Sequence, residues 1–265
     1  MAAQQAPLGA PGQTPEDWAA FAAHAEQGIA ALRETVARQR QQADWGSRPC
    51  DEKQFALLIG AVSAMRRVPG IEGHPGFEGL HHCPTEEQSA QVRQHLSRMF
   101  GITDLESLVE LGNELFGAGN EYEQFMSFWQ GEPIFDEGEL NEGGKLAFGS
   151  CKRFAEIFRP LVGDGGFHAW DYNERIGLLR SACACGIIDE AQFWALALEM
   201  AQCARLLYPD WEAYALSCLC GAAYFMFHES EFDLGEARRF FDLNCRLVQN
   251  LFTENPVWAH HAYGW

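Results

Sequence analysis

The second half of the chain holds charged and aromatic residues whose types and spacing could do chemistry. The predicted ligand-binding residues are Trp170, Asp171, Glu174, Arg175, Arg180 and Trp211. Asp171 and Arg175 are four residues apart, so on a helix they lie on adjoining faces and can form an ion pair. Two carboxylates beside an arginine could bind a cationic or phosphate-bearing ligand, or could shift each other's pKa for acid–base work.

The same residues also have a purely structural interpretation. Asp171 is well placed to cap the start of a helix, and Glu174, three residues on, would close a capping box. Arg175 and Arg180 could pair with carboxylates across an interface between helices.

Two functions from different classes fit these residues. The first, which we favour, is a non-enzymatic module that binds a protein or a small ligand through a cleft near them. The second is a hydrolase or transferase that uses Asp171 and Glu174. It requires a concave pocket that holds both side chains about one substrate atom apart. The sequence assigns no catalytic residue.

A loop rich in proline and glycine carries the imidazoles and the thiol that zinc prefers, at His74, His81, His82 and Cys83. A structural zinc site usually takes four ligands in short pairs separated by a longer insert. His82 and Cys83 are adjacent, however, and Cys183 and Cys185 would point to different faces of a helix. We therefore predict no metal site, although metal binding by these loop residues stays open. The chain also lacks nucleotide-binding glycine motifs and a serine nucleophile elbow, so no cofactor is predicted.

Helices must position these side chains, because helix-start signatures recur along the chain. In each signature a short polar residue precedes an acid or amide by three positions. The signatures are Asp51 with Gln54, Thr85 with Gln88, Thr103 with Glu106, Asp171 with Glu174, Asp189 with Gln192, and Asp233 with Glu236, with a further start at Thr14. Apolar residues then recur at spacings of three and four, and no segment alternates convincingly with a period of two.

These patterns predict an all-α protein of about nine or ten helices with no significant sheet. The predicted helices are 15–42, 51–67, 86–100, 104–117, 120–130, 144–159, 171–185, 190–207, 210–228 and 234–252. A chain of 265 residues with 47% hydrophobic and 21% charged residues is typical of a globular protein. We expect a flexible tail over residues 1–14 and a single helical domain over 15–265, in which 15–45 could form a separate arm.

The charge of the chain excludes two classes of partner. Its formal net charge is −18, from 37 acidic and 19 basic residues, so we expect it to bind neither nucleic acid nor anionic membranes. The stretch 213–227 has no charged residue, but it is shorter than the roughly 20 residues that span a bilayer, and it predicts a buried helix. Residues 1–12 lack the basic start and apolar core of a targeting signal, so we expect a cytosolic location.

The carboxyl-terminal segment 255–265 is unusually aromatic. Trp258, Tyr263 and Trp265 would be costly to leave in water. We therefore predict that the segment docks on the body of the protein, or that it contacts a protein partner or a second copy of the chain.

The order of several motifs resembles one family. These motifs are Ala169-Trp170-Asp171, Arg180, the run Cys185–Glu190, Trp194, Asp210-Trp211 and Gly221, with Phe100-Gly101-Ile102 and 116–120 upstream. Together they resemble the bacterial domain-of-unknown-function family 1266 (DUF1266) over residues 55–228. The resemblance implies an α-helical protein of unassigned activity and supplies no catalytic residues.

The chain departs from the family pattern at three positions. Glu174 stands where the pattern has an arginine, with Arg175 one residue later. Cys218 and Ala222 stand where a tyrosine and an arginine are expected. If these positions form a shared polar pocket, this chain has altered it.

Overall fold

The computed structural model of the protein describes residues 13–66, 77, 79–115, 129–130, 140–163 and 165–265. Within these ranges the chain forms α-helices and one isolated bridge between Arg48 and His261, without a β-strand. The all-α class predicted from the helical periodicity is thus confirmed. The principal helices are α1 (Pro15–Gln39), α2 (Glu52–Ile59), α3 (Ala61–Ala64), α4 (Glu86–Phe100), α5 (Leu105–Leu115), α6 (Glu142–Val162), α7 (His168–Ala184), α8 (Glu190–Leu207), α9 (Trp211–Glu229), α10 (Leu234–Asn250) and α11 (Val257–His260).

Some sequence predictions fall on other parts of the chain. Most of the predicted helix 120–130, the motif 116–120 and His74 lie outside the described residues.

Local capping fixes most helix starts, as the sequence predicts. Thr14, Thr85 and Asp189 each form a reciprocal capping box with the residue three positions on. The start of α5 differs from the prediction by one residue. Its box joins Asp104 to Ser107, because the Ser107 hydroxyl accepts the N–H groups of both Thr103 and Asp104, at 2.9 and 3.1 Å.

Helix α9 lies at the centre of the core and packs against α7 and α10. It is buried on most of its surface, as the uncharged stretch predicts. Gly221 allows α7 to approach closely, because a Cβ there would lie 2.3 Å from Cβ of Trp170 and 2.6 Å from the carbonyl oxygen of Phe167. Among the described residues, no helix combines the length and apolar character needed to cross a bilayer.

The predicted helix 51–67 is wrong in one respect, because it breaks at Gly60 into α2 and α3. Carbonyl oxygens at the end of α2 accept hydrogen bonds from side chains of other helices. Arg180 donates to Leu57 O at 2.9 Å, Trp258 to Leu58 O at 2.9 Å, and Tyr214 to Ile59 O at 2.7 Å. These distant donors offset the lost helical bonds, and local sequence carries no sign of them.

The carboxyl-terminal segment packs on the body of the protein. Trp258 is fully buried and stacks on Trp211, with ring centroids 5.3 Å apart. The Trp211 indole donates to the carbonyl of His261 at 3.0 Å, and the Tyr263 hydroxyl donates to that of Ala204 at 2.9 Å. Trp265 remains 38% exposed. The segment therefore closes the core over α2 and α9.

Candidate functional site

A cleft of about 350 Å³ opens between α3, α4 and α7. Its polar lining residues are Ser63, Arg66, His81, His95, Glu174 and Ser181. Because an ion pair between Arg66 and Glu174 stands on its wall, we call it the Arg66–Glu174 cleft. The apolar side chains of Leu178 and Phe100 also line it.

A network of polar contacts holds the ion pair in place. The Arg66 guanidinium lies 4.9 Å from the centre of the Trp170 ring, in cation–π geometry, and donates to Glu174. The buried Asn173 side chain donates to Glu174 at 2.7 Å and accepts the N–H of Ser63 at 2.8 Å. The end of α3 is thereby tied to α7, and both charged groups are fixed before any ligand arrives.

The ion pair is partly shielded from water. The side chains of Arg66 and Glu174 are 32% and 28% exposed. Burial raises the pKa of the Glu174 carboxyl, while the charge of Arg66 and hydrogen bonds from Arg66 and Asn173 act against that shift. An ion pair in this setting stabilises a fold weakly, because desolvation offsets its attraction. Stability alone is therefore a poor explanation for it.

Imidazole and aromatic groups form the rest of the cleft. His95 contacts the ring of Phe100 edge-on at 6.0 Å, and Phe100 is 42% exposed. His81 is buried, whereas His82 is exposed. No group of three or more His, Cys, Asp and Glu side chains within the described ranges is arranged to hold a metal ion.

The six predicted site residues do not meet in one place. Glu174 lines the Arg66–Glu174 cleft, and Trp170 lies beneath Arg66. Arg180 and Trp211 are buried and donate to backbone carbonyls. Burial lowers the pKa of Arg180 to about 10. Both side chains hold the core together.

The remaining two, Asp171 and Arg175, are one turn apart on α7 and are not part of the lining of the Arg66–Glu174 cleft. Arg175 donates to the sulfur of Met200 at 3.2 Å. Asp171 is 8% exposed, and its Oδ2 has no hydrogen-bond partner among the described residues. Burial, with a further contribution from the charge of Glu174, raises the pKa of Asp171 well above its usual value.

The predicted capping box of Asp171 and Glu174 is wrong. Helix α7 begins three residues earlier, at His168, with Phe167 at the N-cap position. The N–H of Ala169 donates instead to the Ser217 hydroxyl of α9 at 3.2 Å. A contact from another helix thus replaces the local cap and carries Asp171 into the body of α7.

We expect replacement of Asp171 by asparagine to reduce the pH dependence of stability. The pKa of Asp171 is higher in the native state than in the unfolded state, where it is about 4. The free energy of unfolding therefore falls as pH rises above about 4. The total fall is about 1.4 kcal/mol for each unit by which the two pKa values differ. Asparagine cannot ionise and removes this fall. Urea unfolding between about pH 4 and pH 7 measures it, with the exposed Glu26→Gln as control. Equal slopes for wild type and Asp171→Asn would contradict the expectation.

Sequence reasoning missed Arg66, His95 and Ser63. Arg66 is 108 positions from Glu174 in the sequence, and it belongs to none of the motifs described above. Only the packing of α3 and α4 on α7 brings these side chains to Glu174.

The fold and the cleft together define an all-α protein with a polar cleft between α3, α4 and α7. The chain belongs to the family DUF1266, described as proteins of unknown function, whose model matches residues 95–260. The match confirms the resemblance, but it begins and ends later than the expected span 55–228. His95 and Glu174 lie within it, and Arg66 lies before it. No curated protein and no solved structure matches the chain.

Proposed function

We propose that the protein is a non-enzymatic module that binds a small polar molecule in the Arg66–Glu174 cleft. The observation that carries the proposal is the partly buried ion pair on the wall of a cleft of about 350 Å³. Ligand pockets usually have volumes of about 300–1,000 Å³ and place a few convergent polar groups on an apolar surface.

The chemistry of the cleft suits a ligand that carries both hydrogen-bond donors and acceptors. Arg66 offers donors and positive charge, and Glu174 offers acceptors and negative charge. Phe100 and Leu178 supply apolar surface next to them. A small molecule with polar groups at one end and an apolar portion at the other matches this lining.

The enzymatic alternative has less support from this geometry. A carboxylate-dependent hydrolase or transferase needs both predicted carboxylates at one pocket. Glu174 lines the Arg66–Glu174 cleft, whereas Asp171 is not part of its lining. Binding requires only the shaped and charged surface that is present.

The proposal predicts that filling the cleft weakens binding. A library of amino acids, dicarboxylic acids and nucleosides is screened against the full chain by ligand-observed NMR. Leu178→Trp places an indole in the cleft, and the matched control Leu243→Trp adds the same group at an exposed position on α10. We expect some compounds of the library to bind wild type and the control with similar affinity. The same compounds should bind Leu178→Trp at least about tenfold more weakly, a loss of about 1.4 kcal/mol of binding free energy.

Two results would count against the proposal. One is a library without any binder to the wild type. The other is a set of binders that Leu178→Trp and Leu243→Trp affect equally. Circular dichroism of both variants verifies that the fold is intact.

Two further sequence predictions stay open beside this proposal. They are the contact of the aromatic carboxyl-terminal segment with a protein partner or a second copy, and the cytosolic location. The exposed part of Trp265, over which the guanidinium of Arg205 lies at 4.5 Å, is where such a partner would meet the segment.

A further inference from the structure

A second cleft lies on a different set of elements. It has a volume of about 240 Å³ and is formed by α6, the start of α1 and the turn between α9 and α10. Lys145, Gly149 and Arg153 line it from α6, and Trp18 and Phe232 line it from the other side. We call it the Lys145–Arg153 cleft. It shares no lining residue with the Arg66–Glu174 cleft.

The spacing of three residues on α6 places two cationic side chains on either side of a glycine. Lys145, Gly149 and Arg153 follow one another at intervals of four, so they lie along one face of the helix. The two cations are separated by eight residues, or about 12 Å along the axis. Gly149 leaves the surface between them bare, because a Cβ at this position would meet nothing within 4 Å.

Both cations are available to a ligand. Arg153 forms no ion pair with any residue of the described ranges, and its guanidinium lies 6.0 Å from the centre of the Trp18 ring. Lys145 pairs at 3.2 Å with Glu142, whose side chain is 89% exposed. Such an exposed pair is weak, so an anion in the cleft can compete for the lysine. Two cations at one cleft are notable in a chain of net charge −18.

The opposite wall is aromatic and firmly held. Phe232 has a φ of 70°, a left-handed conformation that is rare for a bulky side chain. Its backbone N–H donates to Phe227 O at 2.7 Å, its carbonyl accepts from the Gln13 side chain, and its ring packs edge-on against Phe227 at 5.3 Å. Strained residues of this kind occur often where a structure holds a ligand.

We propose that the Lys145–Arg153 cleft binds a small aromatic anion. The carboxylate or phosphate of the ligand lies over Gly149 between the two cations, and its ring packs against Trp18 and Phe232. Charge-assisted hydrogen bonds from arginine and lysine supply the anion contacts, and burial of the ring supplies the rest of the affinity.

The test uses phenyl phosphate as the probe and the full chain as the receptor. The indole N–H signal of Trp18, assigned with Trp18→Phe, reports binding in a two-dimensional NMR titration. Gly149→Glu places a carboxylate between the cations in open space. Gly143→Glu makes the same charge change on another face of α6 and serves as the matched control. We expect the control to bind within about twofold of wild type and Gly149→Glu to bind at least about tenfold more weakly.

Two further probes separate the contributions of anion and ring. Inorganic phosphate lacks the ring, and benzyl alcohol lacks the charge, so each should bind at least about tenfold more weakly than phenyl phosphate. The proposal is overturned if phenyl phosphate leaves the Trp18 signal unchanged or if both glutamate variants weaken binding equally. It is also overturned if either partial probe binds as tightly as phenyl phosphate. Leu178 does not line this cleft, so Leu178→Trp should bind phenyl phosphate as wild type does. The test of the Lys145–Arg153 cleft is therefore independent of the test of the Arg66–Glu174 cleft.

Discussion

Replacement of Gly221 by alanine is expected to lower the free energy of unfolding by about 3 kcal/mol. The added Cβ would lie 2.3 Å from Cβ of Trp170 and 2.6 Å from the backbone carbonyl of Phe167. Both neighbours belong to or adjoin α7, so α7 and α9 must separate to admit one methyl group. The displacement also moves Trp170, on which Arg66 rests, and so it should loosen the Arg66–Glu174 cleft.

The matched control is Gly149→Ala, where the same methyl group meets nothing within 4 Å. Alanine is favoured over glycine inside a helix by about 0.5–1 kcal/mol, so this variant should gain stability. Urea denaturation of both variants measures the difference, provided that the m-values agree with wild type. If Gly221→Ala were also stabilised, helix propensity would outweigh packing, and the close contact of α7 with α9 would be refuted.

Replacement of Arg180 by alanine is expected to lower the free energy of unfolding by about 3–5 kcal/mol. The side chain is fully buried and donates at 2.9 Å to the carbonyls of Leu57 and Phe77. Alanine leaves a cavity and leaves both carbonyls without this donor. Because Leu57 lies in the last turn of α2, we also expect faster amide hydrogen exchange at the α2–α3 junction.

Two controls separate the causes of this loss. Arg239→Ala removes an arginine that is 72% exposed and paired with Glu236, and it should change stability by less than about 1 kcal/mol. Arg180→Met fills most of the space without restoring the hydrogen bonds, so its loss should be smaller than that of Arg180→Ala. A loss for Arg180→Ala no greater than that for Arg239→Ala would show that the buried arginine does not hold α2.

The candidate site was only partly predictable from the sequence. Helical spacing placed Trp170 and Glu174 one turn apart, and the structure keeps both beside Arg66. The same spacing grouped Asp171 with Glu174, but only Glu174 lines the Arg66–Glu174 cleft. Spacing along one helix tells which side chains are neighbours on it, whereas the partner helix on each face depends on contacts between distant segments.

The sequence by itself determined the helical class and most helix starts, because a capping residue and an apolar stripe act within a few residues of each other. Only the tertiary structure decided three features: the start of α7, where Ser217 accepts the N–H of Ala169, the break after α2 at Gly60, and the pairing of Glu174 with Arg66. In each case a backbone group or a charge is satisfied by a side chain more than 40 positions away. Local pattern cannot encode such partners, since their positions follow from how whole helices pack.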